Sequence, residues 1–296
     1  MTEQDITSFA KKGFVKLKGF LSHEAIQLLD WKLDRDLERP ATIYAKGVNR
    51  LKYDLKDGED LEIVQHPLFR STLSSVCQKS LFYVQNVGFE LKKNKGAGVL
   101  WHVGNVSFSY QQLENFGCSL WIPLTKIDTK SQGGGMIYVS KAIFSGKFLY
   151  QYTTMLSSYV QGLQEQNKTP SREEMDRLDY FIPNSPEVEP MLSTYGESDD
   201  FEIGDALLFD KEVIHRSCPL TEGPIETRRA FVMRFVEADS SYDLDRVKKL
   251  KPFQDIVGYG TGSALANNIC QKEDEALIDS PLFKDTKEKR LIPFEK

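Results

Sequence analysis

Gly204-Asp205-Ala206-Leu207-Leu208-Phe209-Asp210, followed by Ile214-His215-Arg216-Ser217, is the stretch on which the reading of this 296-residue chain turns. The Gly-Asp pair marks a turn, and the apolar run after it has the texture of a buried strand. His215 falls just past that strand. A second histidine has a matching place: Trp101-His102-Val103-Gly104-Asn105 ends a strand predicted over Val99–Val103. Strand ends at the mouth of a β-barrel aim side chains at a ligand. Thirteen residues after His215 comes Arg228, with Arg229 beside it, opening a strand predicted over Arg229–Val236.

Outward from these segments the chain reads as spaced short strands. Leu81–Leu91, Phe116–Leu124 and Met136–Val139 are predicted strands, the last following the turn Gly133-Gly134-Gly135, and Phe201–Asp210 is another. This spacing predicts an all-β sandwich or barrel core. Helices precede it. Residues 3–12 form one that stops at Gly13, and Phe14–Lys18 alternates as a strand. Ser22 caps a helix carrying Ile26, Leu29, Leu33 and Leu37, closed by Pro40. His66-Pro67 starts another. Residues 147–182 interrupt the β pattern with two helices, the second capped by Ser171 and Glu174. Pro183–Asp200 reads as an exposed loop, and the tail from Asp239 as a charged extension. No repeat divides the chain, so a single domain is expected, with a helical insertion at about 141–200 and a C-terminal extension at about 239–296.

Composition narrows the function. Lys+Arg 38 against Asp+Glu 43 gives a net charge of -5, which disfavours general binding to nucleic acid or an anionic membrane. No apolar run is long enough to span a bilayer, and the N-terminus lacks a signal-peptide core, so the expected compartment is the cytoplasm. Cys77, Cys118, Cys218 and Cys270 are widely spaced, which reads as idle thiols. His23 and His66 fall at helix starts, leaving His102 and His215 for chemistry. Either histidine alone is more often a packed or surface residue than a ligand, and Arg228 alone would be a surface charge. The order in which they follow the strands is the informative feature.

That order resembles the phytanoyl-CoA dioxygenase family of iron(II)/2-oxoglutarate enzymes. The resemblance spans about Phe14 to Val236. It rests on Gly13-Phe14-Val15, Trp101-His102, Leu120-Trp121-Ile122-Pro123-Leu124, Gly204–Phe209, His215 with Ser217, and Arg228. It implies a mainly β fold, a double-stranded β-helix (jelly roll, cupin-like) core with flanking helices. It also implies that His102 and His215 ligate Fe(II), that Arg228 holds the distal carboxylate of 2-oxoglutarate, and that Ser217 and Trp121 line the cosubstrate pocket. Ser217 as an ordinary strand serine and Trp121 as a core aromatic are the alternatives.

One position departs from the family's His-x-Asp. Here it is His102-Val103-Gly104, so the carboxylate ligand is missing, and Asn105 should point to the other side of the strand. Iron/2-oxoglutarate halogenases carry the same replacement, with chloride supplying the charge and filling the space. His102-Val103-Gly104-Asn105 also resembles the hapalindole-type halogenases of free small molecules. The resemblance therefore implies O2-dependent chlorination at an unactivated carbon of a small-molecule substrate. Hydroxylation, desaturation or oxidative cyclisation is the alternative, with Asp210, Glu212 and Glu114 as substitute acidic ligands. A non-catalytic jelly-roll binding protein is the third reading. Pocket walls are expected from Tyr44–Tyr53, Ser107–Asn115 and Phe148–Tyr180. Nothing in the sequence supports a carrier-protein partner.

Overall fold

The computed structural model describes residues 2–38, 50–54, 58–95, 98–104, 107–179, 181–257 and 275–295. Asn105, Cys270 and most of Tyr44–Tyr53 lie outside them. Ten strands alternate with helices: β1 (Phe14–Leu17), β2 (Arg50–Asp54), β3 (Leu81–Lys92), β4 (Gly117–Pro123), β5 (Met136–Val139), β6 (Gly196–Glu197), β7 (Ala206–Asp210), β8 (Ile214–Ser217), β9 (Thr227–Glu237) and β10 (Leu291–Ile292). The major sheet runs β1-β7-β4-β9-β3-β10, with β2 also on β3, and the minor sheet runs β6-β5-β8. Every pairing within them is antiparallel.

Strand alternation divides the major sheet into two faces. Leu120, Ile122, Phe231, Met233 and Phe235 point outward and pack with Ile26, Leu29, Leu33, Phe69 and Leu73 of helices α2 (His23–Glu38) and α4 (Pro67–Cys77). Val87, Phe89, Trp121, Leu207, Ala230 and Val232 point inward and pack with Met136 and Tyr138 of the minor sheet. The result is a jelly roll with helices outside it, as the family resemblance implies and within the sandwich-or-barrel class that the strand spacing predicts. Helix α1 (Glu3–Lys12) carries a Thr2/Asp5 capping box and ends at Gly13 with φ 84, the left-handed cap expected there.

Several expectations are corrected. Val99–Val103 is no full strand: only His102 bridges to the sheet. His215 lies past β7, as expected, but within a further short strand of its own. The strand expected over Phe201–Asp210 is confined to β7, with Phe201 bridging Ile127 alone. Pro183–Asp200 holds a helix, α7 (Glu189–Tyr195), and the strand β6. Arg50–Asp54, expected as loop, pairs with β3. The tail is also built in. Its helix α8 (Leu244–Val257) supplies Phe253 to a cluster with Leu156 and Val160 of α5 (Lys147–Glu165) and Met175 of α6 (Arg172–Asp179), and β10 joins the end of β3. Strands of two to four residues are too short to show a period, which is why the sequence hid them. Among the described residues no helix is long and apolar enough to cross a membrane.

Helix α2 approaches β3 closely at one point. A Cβ on Gly88 would lie 2.4 Å from Leu33 Cδ1. Gly88→Ala should therefore displace the helix and cost about 1–3 kcal/mol by overpacking; chemical denaturation of the variant checks this.

Candidate active site

His102 and His215 are brought together by backbone hydrogen bonds. Each N–H donates to the other's carbonyl, at 2.9 and 3.0 Å. The pair forms an antiparallel bridge that adds the His102 segment to the free side of β8. The preceding residue is held from the far side: Asn184 accepts from the Trp101 N–H at 3.0 Å and donates to its carbonyl at 2.9 Å. Asn184 thus replaces a strand neighbour. It lies in the segment expected to be loop, and nothing local in the sequence marks it.

The rings converge. Their centroids are 4.3 Å apart with planes inclined at 51°. Nδ1 of His102 lies 2.7 Å from the Leu100 carbonyl, and Nδ1 of His215 lies 2.8 Å from the Val213 carbonyl. A carbonyl only accepts, so both Nδ1 atoms carry the proton and both Nε2 lone pairs are available. Burial keeps both rings neutral: His102 is pushed down to about 4, and His215 well below the usual histidine range. This tautomer is the one a metal-binding histidine needs.

Arg228 and Arg229 point to opposite faces of β9. Arg229 pairs outside with Asp30 at 2.7 Å and Asp34 at 2.5 Å, both on α2. Arg228 is wholly buried inside the barrel, its guanidinium carbon 4.9 Å from the Phe89 ring centre and 5.8 Å from that of Trp121. Among the described residues none of its three nitrogens has a hydrogen-bond partner, and neither has Nε1 of the buried Trp121. Burial pushes the guanidinium down to about 10, so it stays charged at neutral pH. Four unmatched donors around a buried cation define a place for a carboxylate. Ser217 shares the inward face of β8 with His215, since Ile214 and Arg216 point outward. Its register partner is Met136 of the inner cluster.

Gly104 sits one turn from a ring. A Cβ there would meet Phe108 Cδ2 at 3.0 Å and Cε2 at 3.2 Å, then Tyr150 Oη at 3.7 Å. Phe108 is therefore the first side chain that a substituent at 104 would meet. It is folded back by the Phe108 N–H, which donates to the Gly104 carbonyl at 3.1 Å. Tyr150 comes from α5, inside a segment expected to supply pocket walls.

The substitute acidic ligands are engaged elsewhere. Asp210 accepts from Lys141 at 2.6 Å, Glu212 from Ser145 at 2.8 Å, and Glu114 from Lys147 at 2.5 Å. Among the described residues no group of three or more His, Cys, Asp or Glu side chains could hold a metal ion. The histidine pair therefore has no carboxylate partner among them.

No protein-family model and no curated protein matches the sequence. Solved structures do share the fold. The non-heme alpha ketoglutarate dependent epimerase SnoN from nogalamycin biosynthesis aligns with TM-score 0.54 and 12% identity, over 81% of this chain and 84% of that one. The carbocyclase SnoK from the same biosynthesis aligns with TM-score 0.53 and 13% identity, over 82% and 86%. EvdO2 from Micromonospora carbonacea var. aurantiaca, complexed with 2-oxoglutarate, aligns with TM-score 0.50 and 20% identity, over 80% and 91%.

A lone buried charge is costly to the ligand-free protein. Arg228→Met should leave stability unchanged or raise it by about 1 kcal/mol or more. Trp121→Ala, which empties the same region of a large ring, should cost about 3–5 kcal/mol. Thermal denaturation of the two variants distinguishes a ligand-binding arginine from a structural one.

Proposed function

We propose that the chain is an iron(II)/2-oxoglutarate-dependent oxidative enzyme of the phytanoyl-CoA dioxygenase type. It acts on an unactivated C–H bond of a small molecule, with chlorination as its outcome. The observation that carries the enzyme reading is Arg228, a wholly buried guanidinium with no partner inside the barrel that also holds the histidine pair. A structural arginine would be satisfied by the protein itself.

In this reading His102 and His215 hold Fe(II) through Nε2. Arg228 binds the distal carboxylate of 2-oxoglutarate, with the Trp121 indole N–H and Ser217 beside it. When bound, iron and cosubstrate supply the oxidising chemistry: O2 is reduced as 2-oxoglutarate becomes succinate and carbon dioxide, and a hydrogen atom leaves the substrate. The protein's share is positioning and exclusion of water. The Leu100 and Val213 carbonyls fix both ring orientations, and the apolar inner cluster keeps the lumen dry.

One observation favours the halide. No carboxylate replaces the missing aspartate among the described residues, so one negative charge is wanting at the metal. A second reading keeps the iron chemistry and drops the halogen. The epimerase and carbocyclase chemistry of SnoN and SnoK favours it.

Anaerobic reconstitution with Fe(II) and 2-oxoglutarate, with and without chloride, followed by aerobic turnover and product mass spectrometry, tests both readings. His102→Ala and His215→Ala should each abolish 2-oxoglutarate consumption, and His66→Ala should not. Full consumption in His215→Ala removes the iron reading. Arg228→Ala should weaken 2-oxoglutarate binding by about 2–5 kcal/mol, while Arg229→Ala leaves it unchanged.

Chloride should shift the visible charge-transfer band of the anaerobic complex. Gly104→Asp must push Phe108 aside by a few tenths of an ångström; it should turn the product toward hydroxylation or end turnover. Complete native turnover in chloride-free buffer, with no halogen in the product, defeats chlorination and leaves the iron reading standing.

A further inference from the structure

The two edges of the His102 segment are held by different kinds of partner. In an extended segment the N–H and C=O of one residue point to one edge, and those of the next residue to the other. The backbone groups of His102 face β8 and exchange bonds with His215. On the same edge the Ser217 N–H donates to the Val99 carbonyl at 2.9 Å. The backbone groups of Trp101 face away from β8, where none of the described strands pairs with the segment.

Asn184 fills that second edge. Its amide oxygen takes the Trp101 N–H at 3.0 Å and its amide nitrogen gives to the Trp101 carbonyl at 2.9 Å. A strand residue would offer the same pair, one acceptor and one donor. Both lengths are those of well-formed bonds. They also settle which way the amide points.

The Trp101 ring is enclosed by the residues that follow Asn184. It is wholly buried, in a cluster that includes Leu192 of α7. A Cβ on Gly196, just past α7, would lie 3.5 Å from its Cη2. The guanidinium carbon of Arg216 stands 4.9 Å from the ring centre, and Arg216 donates to Glu189, the first residue of α7, at 3.2 Å. Residues 184–196 therefore grip both the backbone and the ring of the residue just before His102.

Gly104 gives this grip its importance. A segment with ligands at 102 and 104 would be tied to a metal twice, whereas glycine at 104 leaves one tie, through His102. The direction of the His102 ring then depends on how firmly the protein holds the backbone that carries it. Bonds at Val99 and His102 hold one edge, and Asn184 resists a tilt about that edge from the other side.

We infer that Asn184 is a positioning residue for the histidine pair: it presets the His102 backbone, so that Nε2 is in place before a metal arrives. A ligand held in its bound geometry gives up less freedom on binding. This role rests on the iron/2-oxoglutarate reading, which makes the histidine pair a metal site.

The Fe(II) affinity of the metal-free protein is measured anaerobically by competition with a chelating dye. The Co(II) absorption spectrum reports ligand geometry in parallel. Asn184→Ala should bind Fe(II) about 10–100-fold more weakly, the range found for groups that orient metal ligands, and should shift the Co(II) bands. Leu73→Ala, which opens the core between α4 and the outer face of the sheet, controls for lost stability. It should melt at a lower temperature than the wild type and bind Fe(II) equally well. Amide hydrogen exchange on the metal-free wild type needs no variant. The Trp101 N–H should exchange about as slowly as that of His102, and adding metal should leave its rate unchanged.

The positioning role is overturned if Asn184→Ala binds Fe(II) as tightly as the wild type, if Leu73→Ala loses affinity to the same degree, or if the Trp101 N–H of the metal-free wild type exchanges freely. The exchange measurement decides even where Asn184→Ala fails to fold. A wild type that binds no Fe(II), or a His215→Ala variant that binds it unchanged, removes the iron reading and this role with it. Loss of affinity in His215→Ala but not in Asn184→Ala removes the role of Asn184 alone.

Discussion

His102 and His215 hold each other's backbone, and the rest of the site depends on that exchange. The two reciprocal N–H···O bonds place residues 113 apart in sequence side by side on one sheet edge. In an antiparallel bridge directly opposed residues project to the same side. The rings therefore converge without any covalent or metal link. The Asn184 amide secures the outer edge of Trp101, so the segment is gripped from both sides although it forms no ladder. The carbonyls two residues before each histidine then fix both tautomers.

Charge in the lumen is arranged against that frame. Arg228 and Arg234 project inward from one strand, and Arg229 between them projects outward to Asp30 and Asp34. The outward arginine is matched by the protein; Arg228 has no hydrogen-bond partner among the described residues. An unmatched buried cation opposes folding, and it persists where a ligand supplies the anion. Under the proposed reading that anion is the cosubstrate's distal carboxylate.

The absence of a side chain at residue 104 has a physical counterpart in Phe108. The ring lies against the place where a Cβ would stand, with the first approach at 3.0 Å. The glycine and the ring form one feature: a side chain at 104 must displace the ring, and removing the ring would open the same space. The turn that folds Phe108 back also carries the Ser107 carbonyl to Gln85.

Much of this was legible in the sequence. Alternation in β3, β4 and β9 is long enough to declare a strand and to say which residues share a face, so the opposite destinations of Arg228 and Arg229 were readable from parity alone. His102, His215 and Arg228 were singled out by their order along the chain, and Gly104 by its departure from the His-x-Asp of the family that the chain resembles. What the sequence could not carry were contacts made by very short elements: the single bridge at His102, the four residues of β8, the two of β6 and β10, and the Asn184 amide standing in for a strand. None is long enough to show a period, and each forms only because a distant segment offers a complementary edge. The lack of a partner for Arg228 is likewise a tertiary fact. Residue type gives a guanidinium its charge, but only the assembled barrel determines whether any acceptor comes within reach.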